Sequence, residues 1–224
     1  MPRLYVVGLG PGDPELVTVK AAETLRRASI VFLPYSTGTN RSLAHSIVAR
    51  YIGDAEVVFL GFPMGRDPER EVLVENARVV CHGVRRRGAG VFAVLGDPAL
   101  YSTFHRLRPY LAEVCPELEV EVVPGVAAAL ACVARVVEPL ALGDEGVALV
   151  PATRGDLVKK AVEVFDTVVI YKANMLDEEL LREAARRREV IYARRCFMEG
   201  EDVRRGAVGP LEDYFTVIIL RRRG

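Results

Sequence analysis

The sequence predicts an α/β fold in two domains, a parallel-sheet N-terminal domain and a mixed-sheet C-terminal domain. Two observations carry this. In the first half, short apolar runs such as Leu4-Tyr5-Val6-Val7 alternate with segments of helical period. A run apolar at every position suits a strand buried on both faces of a parallel sheet. In the second half, several apolar runs are separated only by short turns, which favours a mixed sheet.

The elements follow in order. Strand 4–7 runs into glycines. A helix over 16–28 has Val19, Ala22 and Leu25 among its apolar positions. Asp13-Pro14-Glu15 before it offers a capping residue and a proline near the first helical position. Strand 30–33 is ended by Pro34. Helix 43–51, strand 56–60 and a long helix 68–87 with a charged outer face come next, and Gly88-Ala89-Gly90 breaks that helix. Strand 91–95, helix 101–114 and strand 118–123 complete a first domain of residues 1–123. Alternation at this spacing implies right-handed crossovers. The second domain, residues 124–224, begins at Pro124-Gly125. It reads as helix 127–135, strand 146–151, helix 157–164, strand 167–171, helix 177–188, strand 190–194, a less regular stretch 201–208 and a closing strand 214–220. The two domains are expected to abut with a cleft between them, a common place for a small-molecule site.

Composition narrows the function. Half of the 224 residues are hydrophobic, enough for one large core or two modest ones. With 27% charged residues, a disordered chain is excluded. The formal net charge is zero, so the electrostatic footprint of a general nucleic-acid binder is missing, and no nucleic-acid partner is expected. No apolar stretch approaches the ~20 residues that span a bilayer, so no membrane partner is expected either. Met1-Pro2-Arg3-Leu4 leads straight into a strand pattern without a signal-peptide region, which reads as cytoplasmic. Cys81, Cys115, Cys132 and Cys196 form no C-x-x-C pair and are expected to be free, buried or half-buried thiols. His45, His82 and His105 are scattered, so no metal site is expected. Glutamine is absent and asparagine occurs only at 40, 76 and 174, which suits a heat-adapted protein.

Three strand ends carry turn chemistry: Gly8-Leu9-Gly10-Pro11-Gly12-Asp13-Pro14, Leu95-Gly96-Asp97-Pro98 and Val123-Pro124-Gly125-Val126-Ala127-Ala128. In open parallel sheets, ligands bind outside the carboxyl ends of strands. Glycine there permits tight turns and close approach of a ligand. A dinucleotide reading fails on the first loop, because Asp13 stands where the third glycine of G-x-G-x-x-G belongs and would repel a pyrophosphate.

Together these loops resemble the tetrapyrrole methylase family, and the likeness runs almost end to end. Its parts are Val7-Gly8-Leu9-Gly10-Pro11-Gly12-Asp13-Pro14 followed by Leu16-Val17-Thr18, then Gly96-Asp97-Pro98, then Val123-Pro124-Gly125-Val126. Val31-Phe32-Leu33-Pro34, Leu100-Tyr101-Ser102-Thr103-Phe104 and Asp213-Tyr214-Phe215-Thr216 resemble the branch that methylates carbon 20 of precorrin-2 or its cobalt form. The resemblance implies a homodimer whose domains enclose S-adenosylmethionine, with a tetrapyrrole substrate that would bring any cobalt with it. Another family member, acting on a different corrin carbon or, as diphthine synthases do, on the modified histidine of elongation factor 2, or a non-catalytic cofactor-binding module on the same fold, is the alternative.

Carried over by position, the cofactor contacts would be Pro11, Leu95, Gly96, Asp97, Leu100, Ser102, Thr103, Ala127, Ala128, Tyr171, Lys172, Phe197 and Met198. Lys172-Ala173 stands where many members have Met-Gly. Asp97 and Tyr101 are the candidate catalytic residues, with His105 third. Asp97 reads more readily as a loop and cofactor ligand than as a base, from its place before Pro98. A polycarboxylate substrate calls for arginine forks, and Arg41, Arg66 and Arg106 are the candidates. The runs 85–87, 186–188 and 221–223 read as solvated arginine faces.

Overall fold

The computed structural model describes residues 1–36, 41–62 and 70–223, apart from the side chains of Ser36, Arg41 and Ser42. The chain forms two compact units, Met1–Ala127 and Ala128–Gly224. The sequence puts the boundary four residues earlier, at Pro124. Gly125 stays with the first unit because its N–H donates to the Asp97 carboxylate at 2.8 Å.

The first unit holds strands β1 (Arg3–Gly8), β2 (Ile30–Ser36), β3 (Glu56–Phe62), β4 (Ala89–Val94) and β5 (Glu119–Val123). All are parallel, in the order β3-β2-β4-β1-β5. Helices α1 (Val19–Arg26) and α2 (Arg41–Val48) cover one face, where Leu25 and Ile47 pack on Val7, Val31 and Ala93. Helices α3 (Arg70–Arg87) and α4 (Thr103–Val114) cover the other, where Val80, Phe104 and Leu107 pack on Val6, Phe32 and Phe92. Both faces are therefore apolar, which explains the unbroken apolar runs.

Two local expectations change. The helix read over 16–28 is a 3₁₀ turn, Pro14–Leu16, followed by α1, and each piece has its own cap. Asp13 accepts from Glu15 N at 2.8 Å, and Thr18 accepts from Ala21 N at 3.2 Å. Pro34 does not end β2. Pairing with β4 stops at Phe32, whereas pairing with β3 continues to Ser36. Past Phe32 the strand is paired on one side alone, the edge-like setting that tolerates a proline.

The second unit holds α5 (Ala128–Ala134), β6 (Val147–Pro151), α6 (Gly155–Val164), β7 (Thr167–Tyr171), α7 (Glu178–Arg187), β8 (Arg188–Arg194), β9 (Asp202–Arg205) and β10 (Thr216–Arg222). Its sheet runs β6-β7-β10-β8-β9, with β6 and β7 parallel and the other neighbours antiparallel. Helices α6 and α7 pack on Val168, Ile170 and Ile218. On the opposite face, Ala129 and Val133 of α5 pack on Val169, Ile191 and Ile219.

The cysteine expectation is overturned. Cys81 is bonded to Cys115 and Cys132 to Cys196, with Cα atoms 5.8 and 5.6 Å apart, and no described cysteine is free. Separations of 34 and 64 residues hide both pairs from any spacing rule. The sulfurs of Cys81 and Cys115 and a carboxylate oxygen of Glu117 also lie within 4.8 Å of one another, a grouping that spacing likewise conceals. Glu117 is already paired with Arg85 there.

The arginine runs are only partly solvated faces. Arg188 is 5% exposed and donates to the carbonyls of Asp166, at 2.8 Å, and Val162. Burial pushes its guanidinium below the ordinary arginine value. Arg221 is likewise largely buried and pairs with Glu138 at 2.8 Å. Both side chains lie at element ends, where carbonyls or a carboxylate replace water.

Candidate active site

The three glycine-rich loops follow β1, β4 and β5, which are neighbours in the first sheet. After β1 the chain passes to α1 on one face, and after β4 to α4 on the other. The carboxyl ends of β1 and β4 thus form the switch point at which open α/β sheets bind ligands.

The loops are joined to each other through the main chain. Leu9 N donates to Val94 O at 2.8 Å, and Gly10 and Gly96 exchange N–H···O bonds of 3.2 and 2.7 Å. A Cβ on Gly8 would stand 2.7 Å from Gly125 Cα and from Gly96 O, and one on Gly125 would stand 2.8 Å from Gly8 Cα. Glycine at 8 and 125 is therefore required by the approach of one loop to another rather than of a ligand. Gly96 differs: its φ is +70°, and a Cβ there would project into open space.

Asp97 locks this arrangement. One carboxylate oxygen accepts from Ala99 N and the other from Gly125 N, both at 2.8 Å. Thr18 adds a second tie, its hydroxyl donating to Pro124 O at 3.3 Å. Each carboxylate oxygen of Asp97 is thus engaged by the backbone, and the side chain holds the second loop against the third.

The other predicted residues of the first unit fall around this rim. Leu95 and Leu100 are half-buried in the second loop, and Leu100 N donates to Asp97 O at 3.2 Å. Ser102 caps α4 by accepting from Phe104 N at 3.2 Å, and Thr103 is the first residue of that helix. Pro11 is buried, and Ala127 is half-buried at the end of the unit. Tyr101 is 46% exposed with φ 53°, a left-handed conformation that is costly for an aromatic residue. Partial burial raises its phenol above the ordinary tyrosine value. His105 is exposed on α4, its ring 5.5 Å from that of Phe104. Arg106 is exposed on the same helix and Arg41 opens α2, whereas Arg66 and the Arg41 side chain lie outside the described residues.

In the second unit, the carboxyl ends of β7 and β8 and the start of β10 share one end of the sheet, since Tyr171 follows the Ile170–Ile218 pair and Arg194 faces Thr216. Tyr171, Lys172, Phe197 and Met198 all lie in the segments that leave this end, and Ala128 begins α5. Of the five left-handed non-glycine residues described, three are predicted site residues, Tyr101, Lys172 and Phe197, and Arg195 is two positions from Phe197. Such conformations gather where a site needs them and the surroundings enforce them. Sequence reasoning missed Arg195 and also Asn174 and Arg194. Among the described residues, Asn174 Oδ1 and Arg194 Nε are buried without a hydrogen-bond partner. No local signal marks them, because orphaning depends on which side chains the sheet brings together.

Known proteins resemble this chain in sequence and in fold. Residues 3–212 match the family of tetrapyrrole (corrin/porphyrin) methylases. A probable cobalt-precorrin-2 C(20)-methyltransferase of Methanocaldococcus jannaschii is 33% identical over 98% of this chain and 96% of its own. The cobalt-precorrin-2 C(20)-methyltransferase of Salmonella typhimurium is 34% identical over 76% of this chain and 72% of its own. Among solved structures, the uroporphyrin-III C-methyl transferase of Thermus thermophilus, in complex with S-adenosyl homocysteine, superposes with a TM-score of 0.71 at 24% identity, covering 98% of this chain and 97% of that one. With the family match covering residues 3–212, all three glycine-rich loops included, the chain belongs to the tetrapyrrole (corrin/porphyrin) methylases.

Proposed function

We propose that the protein transfers a methyl group from S-adenosylmethionine to carbon 20 of precorrin-2 or its cobalt form, in cobalamin biosynthesis. The observation that carries this is the rim of three loops at the β4-β1-β5 strand ends, joined through Asp97, in a chain whose full-length relative is named for that reaction.

The residues fit such a ligand. Gly96 leaves space beside its backbone, Ala127 and Ala128 are small and half-buried, and Asn174 Oδ1 lacks a partner. On this reading Leu95, Gly96, Leu100 and Ala127 of the first unit hold the cofactor, with Pro11, Ser102 and Thr103 behind them. Ala128, Tyr171, Lys172, Phe197 and Met198 of the second unit contribute in turn. The bound cofactor supplies an electrophilic methyl on sulfonium sulfur.

The protein's main contribution is alignment, which can supply several kcal/mol. The rim suits that task, since its loops are fixed to each other before any ligand arrives. Tyr101 offers a protonated phenol toward the reacting ring, and Arg41, Arg66 and Arg106 offer guanidinium forks to its carboxylates. Exposed Val120 and Val122 on the edge strand β5 support a homodimer. No helix among the described residues is long and apolar enough to cross a membrane. Two disulfides suit the cytoplasm of a heat-adapted cell, where intracellular disulfides are common.

Labelled S-adenosylmethionine incubated with precorrin-2 or cobalt-factor-2 tests the reading. The expected product is a trimethylated ring labelled at carbon 20. Label on elongation factor 2 alone, or at another ring carbon, overturns it.

A further inference from the structure

The segment after β8 is held in a costly conformation by α5. Arg195 and Phe197 are both left-handed, with φ of 50° and 60°, and Cys196 lies between them. Neither flanking residue is a glycine, so other contacts must maintain this turn. Cys196 is buried and bonded to Cys132 on α5. Arg135, just past the end of α5, lies 3.7 Å above the Phe197 ring and pairs with Glu201 at 3.0 Å. Glu201 in turn accepts from Phe197 N. Met198 N closes the turn onto Arg195 O at 2.9 Å. From the sheet side, Arg195 N donates to Phe215 O at 2.9 Å, and the Arg195 side chain pairs with Asp213.

Three different contacts thus tie α5 to this segment: a covalent bond, an ion pair and a cation–π contact. All three bear on Cys196, Phe197 or Glu201, within one turn of chain. The other disulfide, Cys81–Cys115, serves no such loop; it joins α3 to the residue that follows α4.

We infer that the Cys132–Cys196 disulfide and Arg135 are positioning elements of the cofactor site, holding Phe197 and Met198 in their binding conformation against the C-terminal end of α5. This rests on the reading of Phe197 and Met198 as cofactor contacts. Without the ties the turn relaxes, and ligand binding must re-order it. Affinity for the cofactor then falls, while turnover at saturation is kept.

The test is binding of S-adenosylhomocysteine by calorimetry, together with KM for S-adenosylmethionine and kcat. It compares the unaltered protein with C132A/C196A, R135A and the control pair C81A/C115A, with folding checked by circular dichroism. C132A/C196A and R135A are each expected to weaken binding and raise KM about tenfold with kcat little changed, while C81A/C115A leaves affinity unchanged. R135A keeps both disulfides and so remains informative if the cysteine pair proves unstable. Equal affinity in all folded variants, or a fall in kcat at constant KM, overturns the proposal. Absence of binding by the unaltered protein instead overturns the cofactor reading, and this proposal with it.

Discussion

At the end of the first sheet, Gly8, Gly96 and Gly125 meet backbone to backbone, and a carboxylate closes the junction. At the end of the second sheet, Arg195 and Phe197 keep their side chains, and the turn is held by Cys196, Arg135, Glu201 and Asp213. Both regions put the chain into conformations with little tolerance. The first does so by removing side chains, so it adapts poorly to any substitution. The second does so by adding side-chain ties, which can be weakened one at a time.

The strongest test of this contrast is Gly125→Ala. Its Cβ would meet the backbone of Gly8, which cannot yield as a flexible side chain could. A loss of about 3 kcal/mol in thermal or denaturant unfolding is expected, with no cofactor binding by the fraction that folds. A wild-type unfolding curve would show that the loops do not pack as described. Asp97→Ala should cost less, about 2 kcal/mol, because it removes the acceptors for Ala99 N and Gly125 N without a clash. Cofactor affinity should fall with it, and unchanged affinity by calorimetry would detach this aspartate from the rim.

A smaller effect is expected at Tyr101, whose phenol burial raises above its ordinary value. The folded state favours its neutral form, so this contribution to stability is present below the unfolded tyrosine value and lost as pH rises through the folded one. Titrated by tyrosinate absorbance, Tyr101→Phe should remove an increment that lies above the ordinary tyrosine range. An increment within that range would place the phenol in open water. The least change belongs to Val137, left-handed at φ 57°, 90% exposed, and outside every proposed site. Val137→Gly should raise the melting temperature slightly, by relief of up to about 1 kcal/mol, with methyl transfer untouched. Phe197→Gly relieves the same kind of conformation and should nevertheless weaken cofactor binding. That split separates strain kept for a site from strain without one.

Much of the fold was legible because it is written in local patterns. Leu4-Tyr5-Val6-Val7 announces a strand buried on both sides, and α1 and α2 on one face with α3 and α4 on the other bear that out. Pro34 misled because a proline reports a missing donor, not whether any partner strand needs it, and β4 has ended its pairing by then. Asp13 and Thr18 each cap their own short piece of what periodicity alone reads as one helix. The glycine-rich loops were legible as tight turns at strand ends, yet the physical reason for two of their glycines was not. That reason lies in which strands are neighbours, and the order β4-β1-β5 is not a property of any single loop. The disulfides, the burial of Arg188 and the contacts of Arg135 stayed hidden for the same cause: each joins residues far apart in sequence.

The bond from Gly125 N to Asp97 spans 28 positions of the chain, and the loop after β1 joins the same junction from much farther away. No local stretch can build this surface early. During synthesis the loops after β1 and β4 can meet first, and the junction stays incomplete until the loop after β5 has left the ribosome.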